Sequence, residues 1–192
     1  DGTITVDGNS RSGGAETLVI KNTNFEHSGS DLYFIDQNST AEALRYPHNV
    51  TVQDCTFKGD GTNVICGIRY RQGFNNVVKN CTAEGLYLFM WTSGGNRITI
   101  DNVDVKDSYR EGAFSLGQCN EFTVKNSKIV ASDPSGYGIR LSASMPSTAT
   151  IENCDITSFI PVVVREASEN QTLTFNGSNT MTASNTDNIW CA

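Results

Sequence analysis

One short phrase returns seven times along this chain of 192 residues, at irregular intervals of a few tens of residues. It reads Leu18-Val19-Ile20-Lys21-Asn22, Val50-Thr51-Val52-Gln53-Asp54, Asn76-Val77-Val78-Lys79-Asn80 and Ile98-Thr99-Ile100-Asp101-Asn102. It continues as Phe122-Thr123-Val124-Lys125-Asn126, Ala149-Thr150-Ile151-Glu152-Asn153 and Leu173-Thr174-Phe175-Asn176-Gly177. The third position falls at residues 20, 52, 78, 100, 124, 151 and 175, giving steps of 22 to 32 residues. A period of this length, stretched by insertions, belongs to a solenoid whose coils bury their apolar faces against one another.

Each phrase alternates apolar and polar residues with period two, so it predicts a strand whose first and third side chains share one face. Two residues after the third position stands Asn22, Asp54, Asn80, Asn102, Asn126, Asn153 or Gly177. Asn, Asp and Gly tolerate a left-handed backbone, which predicts a sharp bend made by a single residue. Stacked at about 4.8 Å, the bend residues are placed to form a hydrogen-bonded amide ladder. A second short strand follows each bend, with Thr23 and Phe25, Cys55 and Phe57, Cys81 and Ala83, Val103 and Val105, Ser127 and Ile129, Cys154 and Ile156, and Ser178 and Thr180 as inward candidates.

A third strand per coil follows a Gly or Pro: Gly67-Ile68-Arg69-Tyr70-Arg71, Gly85-Leu86-Tyr87-Leu88-Phe89, Gly112-Ala113-Phe114-Ser115-Leu116, Gly138-Ile139-Arg140-Leu141-Ser142 and Pro161-Val162-Val163-Val164-Arg165. The predicted class is therefore all-β, a parallel β-helix solenoid of about seven coils with three strands per coil. This pattern resembles the right-handed parallel β-helix of the pectin-lyase-like superfamily, over nearly the whole chain. The resemblance rests on the repeat, so it implies a fold and no specific enzyme family.

Length and the absence of a linker predict one domain over 1–192. The strand-like Thr3-Ile4-Thr5-Val6 and Ile189-Trp190-Cys191 lack the polar caps usual in solenoids, so the expectation is a piece of a longer chain. The expected location is extracellular, on a cell surface or on a virion. A formal net charge of −7 disfavours a nucleic-acid surface, and no apolar run reaches membrane-spanning length. Of the six cysteines, Cys55, Cys81 and Cys154 share one inward column and read as small buried apolar residues. No Cys/His spacing predicts zinc, and the redox state of the cysteines stays open. The sequons at Asn38, Asn49, Asn80, Asn170 and Asn176 are expected by chance in an Asn- and Thr-rich chain.

In the family resembled, sugar chains lie across the outer face of one sheet. Reading the alternation from the Gly positions places Arg69, Tyr87, Phe114, Arg140, Val163 and Trp190 in one outward row. Arg71, Phe89, Leu116, Ser142 and Arg165 form the next, with Tyr70 and Leu88 inward. The candidate ligand residues are Arg69, Arg71, Tyr87, Phe89, Trp91, Phe114, Arg140 and Arg165. Aromatic rings stack on sugar faces and Arg forks hold carboxylates or sulfates, so the expected partner is a polysaccharide or cell-surface glycan, acidic ones included.

A complete catalytic set is missing. Glycoside hydrolysis ordinarily needs two carboxyl groups facing each other across the bond, and Asp36, Glu111 and Glu166 fall outside the predicted central rows. His27 and His48 are not placed as general bases. A uronan lyase would need a basic residue, a role open to Arg69, Arg71 and Arg140, and a cation in one cleft; Asp101, Asp104 and Asp107 lie close in sequence as candidate calcium ligands, although alternating acids on a strand ordinarily face solvent. No other cofactor is expected, and a structural or adhesive spacer, trimeric if like a tail fibre, is the competing reading.

Overall fold

The computed structural model describes residues 4–5, 17–27, 33–37, 48–71, 74–93, 96–108, 114–117, 120–142, 148–165 and 171–191. Twenty strands account for most of them. In chain order they are β1 (Ile4–Thr5), β2 (Leu18–Lys21), β3 (Asn24–Glu26), β4 (Tyr33–Gln37), β5 (Val50–Gln53), β6 (Thr56–Lys58) and β7 (Cys66–Arg71). Next come β8 (Phe74–Glu84), β9 (Leu88–Ser93), β10 (Asn96–Ser108), β11 (Phe114–Gly117), β12 (Glu121–Lys125), β13 (Lys128–Ala131) and β14 (Tyr137–Ser142). The last are β15 (Thr148–Glu152), β16 (Asp155–Ser158), β17 (Ile160–Arg165), β18 (Thr172–Asn176), β19 (Thr180–Ala183) and β20 (Ile189–Cys191).

Every pairing among the described strands is parallel, as in a solenoid. One sheet stacks eight strands in the order β1-β4-β7-β9-β11-β14-β17-β20. The other is folded along its length, because each of its coils passes through a bend. Strands β8 and β10 run through that bend unbroken, while β5 and β6, β12 and β13, or β15 and β16 meet at it. No described helix is long and apolar enough to cross a membrane.

The bend residues behave as their chemistry requires. Asn22, Asp54, Asn80, Asn102, Asn126 and Asn153 hold φ between 51° and 54°, and Gly177 holds 66°. The ladder is present along part of the bend: Asn80 Nδ2 donates to Asp54 Oδ1 at 3.1 Å, and Asn102 Nδ2 donates to Asn80 Oδ1 at 3.0 Å. Asn126 Nδ2 turns instead to Asp101 Oδ1 at 2.8 Å. A glycan on Asn80 would break this ladder. A second left-handed corner, absent from the sequence expectation, runs through Asn49, Asn75 and Arg97 at φ of 55° to 57°. There Asn75 Nδ2 donates to Asn49 Oδ1 at 2.8 Å.

Inside, the third positions Val52, Val78, Ile100, Val124 and Ile151 are all fully buried. An aromatic file adds to them: Phe25 stacks on Phe57 with centroids 4.8 Å apart, Phe57 meets Phe89 at 5.3 Å, and Phe89 meets Phe114 at 5.8 Å. The thiols of the cysteine column point back to the chain. Cys55 Sγ donates to Gln53 O at 3.1 Å, Cys81 to Lys79 O at 3.2 Å and Cys154 to Glu152 O at 3.3 Å. Ser127 repeats the bond at 2.7 Å, so these four side chains cap the carbonyl released at their bends, whereas Val103 in the same column has no donor to do so. Cys55, Cys66, Cys81, Cys154 and Cys191 are free thiols.

Candidate functional site

The outward face of the eight-stranded sheet has a register different from the one its glycines imply. Asp36 pairs with Arg69, Arg69 with Trp91, Trp91 with Ser115, Ser115 with Arg140, Arg140 with Val163, and Val163 with Trp190. One row thus runs Asp36, Arg69, Trp91, Ser115, Arg140, Val163, Trp190; Val163, expected to face outward, is fully buried, so the row is covered at that strand. Its neighbour two residues on runs Arg71, Ser93, Gly117, Ser142, Arg165.

Two predicted ligand residues leave the face altogether. Phe114 pairs with Met90 and Ile139, is fully buried and belongs to the aromatic file. The glycine alignment set it one residue out of register, and a one-residue slip exchanges inside for outside. Phe89 is fully buried as well, because strands of this sheet start with two consecutive inward residues: Phe34 and Ile35, Gly67 and Ile68, Phe89 and Met90. A Cβ on Gly67 would lie 2.9 Å from the Phe89 ring, so the missing side chain makes room for that ring. Gly85 serves another purpose, a turn at φ 63° packed against Gly59. Tyr87 consequently precedes β9, half-buried, with its amide donating to Ile65 O at 2.9 Å. Tyr70 and Leu88 are buried, as expected.

The residues that the face does bring together are Tyr33, Asp36, Arg69, Trp91, Arg140, Tyr137 and Arg165, each partly exposed. Arg69 grips Asp36 through both Nε, at 2.6 Å, and Nη2. Its guanidinium also lies 4.0 Å from the centre of the Tyr33 ring. Burial opposes the Arg69 charge, but the Asp36 carboxylate outweighs it and holds the proton more firmly than usual. The sequence reading missed Asp36, which stands in the row itself. Further along, Arg165 Nη2 donates to Tyr137 Oη at 3.0 Å and lies 5.5 Å from that ring. Trp91 and Arg140 are two strand spacings apart, about 10 Å; Arg71 and Arg165 are four apart, about 19 Å. Glu111, Glu166 and the segments 94–95 and 143–147 lie outside the described residues.

A family model described as NosD, periplasmic copper-binding protein, matches residues 2–192. The chain belongs to the NosD family. Its β-helix is the right-handed, pectin-lyase-like one that the repeat resembles. No curated protein and no solved structure matches the chain significantly.

The NosD description raises copper, whose soft form favours thiolate and thioether ligands and whose divalent form favours imidazole. Among the described residues, the thiols of Cys55, Cys81 and Cys154 are buried and turned to backbone carbonyls. Burial pushes the Cys81 thiol up to about 12, against the thiolate a metal needs. His27 packs on Phe34 and His48 on Phe74, at separate places on the solenoid. Among the described residues no three His, Cys, Asp or Glu side chains gather as a metal site. The described part of this NosD member therefore does not fit a copper centre; Cys119 lies outside it. The calcium candidates do not converge either. Asp101 pairs with Lys125 at 3.3 Å and Asp104 with Lys106 at 3.7 Å.

Proposed function

We propose that this β-helix is an extracytoplasmic module that binds an acidic polysaccharide along the outward face of its eight-stranded sheet. The observation that carries the reading is the in-register row holding Trp91 and Arg140, with Arg71 and Arg165 in the row beside it. An indole offers a sugar ring a flat apolar surface, and guanidinium groups offer carboxylates or sulfates paired donors. The flat sheet lets an extended chain cross several coils and touch one strand after another. Of the eight residues expected from sequence to supply charge or stacking at this face, Arg71, Trp91, Arg140 and Arg165 hold places in these two rows. Arg69, committed to Asp36, supports the platform instead. An extracytoplasmic location agrees with the periplasmic description of the NosD family.

The reading is tested by binding of the purified chain to a panel of neutral and acidic glycans, alongside Trp91→Ala and Arg140→Ala. Retention of uronate or sulfated chains, lost in both variants while the variants stay folded, is the expected result. Equal retention by wild type and both variants would move the site elsewhere. No retention of any glycan would favour a structural or adhesive spacer.

A further inference from the structure

We propose that Asp36 sets the charge specificity of this face by holding Arg69 out of ligand contact, an inference that rests on the polysaccharide reading above. The row is asymmetric. At one end Asp36, Arg69 and Tyr33 form a closed group: both carboxylate oxygens accept from the guanidinium, whose face lies against the Tyr33 ring. The side chains of Arg69 and Asp36 keep only 13% and 14% of their exposure. A bidentate pair so shielded uses the donor fork that an incoming uronate would otherwise occupy. The pair is therefore electrically neutral and offers a ligand the Tyr33 ring surface in place of a free guanidinium. Cationic recognition then falls to Arg140 in this row and to Arg71 and Arg165 in the row beside it.

The ligand implied is an acidic polysaccharide that lies with a neutral sugar over the Tyr33–Arg69 pair and its carboxylates toward Arg71, Arg140 and Arg165. Uniformly anionic chains gain nothing from Arg69 while Asp36 is ionised. Removing the Asp36 charge frees a fourth guanidinium on the face, beside Arg71, Arg140 and Arg165, and turns the neutral pair into an anion subsite.

The test is titration calorimetry of the whole chain with an oligogalacturonate and, as neutral probe, a cello-oligosaccharide. The variants are Asp36→Asn, Arg140→Ala and the double Asp36→Asn/Arg69→Gln, each checked for a cooperative thermal transition. Freeing a charge-assisted fork predicts about tenfold tighter oligogalacturonate binding by Asp36→Asn, with the neutral probe unchanged. The double variant is expected to return to the wild-type affinity. Wild-type or weaker binding by a folded Asp36→Asn, with Arg140→Ala still weakened, would overturn the role of Asp36 and leave the face reading standing. If Asp36→Asn fails to fold, the double variant decides: a tenfold loss of affinity in it would show Arg69 to be a direct ligand and refute the proposal. Failure of wild type to bind either probe refutes the face reading, and the Asp36 role with it.

Discussion

At the scale of single residues, the bends explain why the repeat ends in Asn rather than in any polar residue. Asn80 combines two properties, tolerance of φ 52° and an amide that bonds the coils on both sides. The two separate by substitution. Asn80→Gly keeps the backbone and loses the ladder, a cost of roughly 1 kcal/mol, whereas Asn80→Val also strains a β-branched residue in the left-handed region and costs about 3 kcal/mol. Urea denaturation of both variants measures the difference; equal losses would assign the whole effect to the ladder.

The cysteine column yields a pH prediction. Burial moves the Cys81 thiol from 9.0 to about 12, and Cys154 moves in the same direction for the same reason. The neutral thiol is the form present in the native protein, so its contribution is complete below pH 9. Above that, the unfolded chain loses protons that the folded one retains, and stability falls until the folded thiols ionise in turn. The slope approaches about 1.4 kcal/mol per pH unit for each thiol. Denaturation followed from pH 8 to 11 checks this, and Cys81→Ser, which copies the bond Ser127 already makes, is expected to flatten the curve. An unchanged curve in Cys81→Ser would contradict it.

At the scale of the strand, the two sheets differ in how far their register could be read from sequence. In the folded sheet a bend residue in every coil marks the alignment, and all seven predicted bends take left-handed backbone. The eight-stranded sheet has no such marker. Its glycines look alike in sequence but answer to different constraints, ring clearance at Gly67 and a positive φ at Gly85. Treating them as equivalent moved Phe114 by one residue and Tyr87 into a strand that begins at Leu88. Asp36 escaped because its partner Arg69 is 33 residues away and nothing local announces the pair. Similarly, Arg97 at a left-handed corner is imposed by its stacked neighbours and runs against its own preference. The register itself is testable. Phe89→Ala, in the core, is expected to cost 3–5 kcal/mol of stability, whereas Trp91→Ala, two residues on, costs far less and weakens ligand binding. Thermal unfolding of the pair checks this, and the reverse order of losses would return the strand to the register its glycines imply.

At the scale of the molecule, parallel stacking turns a one-dimensional repeat into a long flat surface, and the function proposed depends on that surface more than on any pocket. The acidic chain carries a formal charge of −7, yet three guanidinium positions, Arg71, Arg140 and Arg165, gather on one sheet beside Trp91. That cluster of guanidinium positions is what the proposed recognition of an anionic polymer rests on. The most direct measurement is a titration of the Trp190→Phe variant with oligogalacturonate, following the emission of Trp91, then the only indole. The account predicts a saturable change in emission whose midpoint moves about tenfold higher in the Arg140→Ala background. An emission that stays constant to saturating oligogalacturonate, or a midpoint indifferent to Arg140, would contradict it.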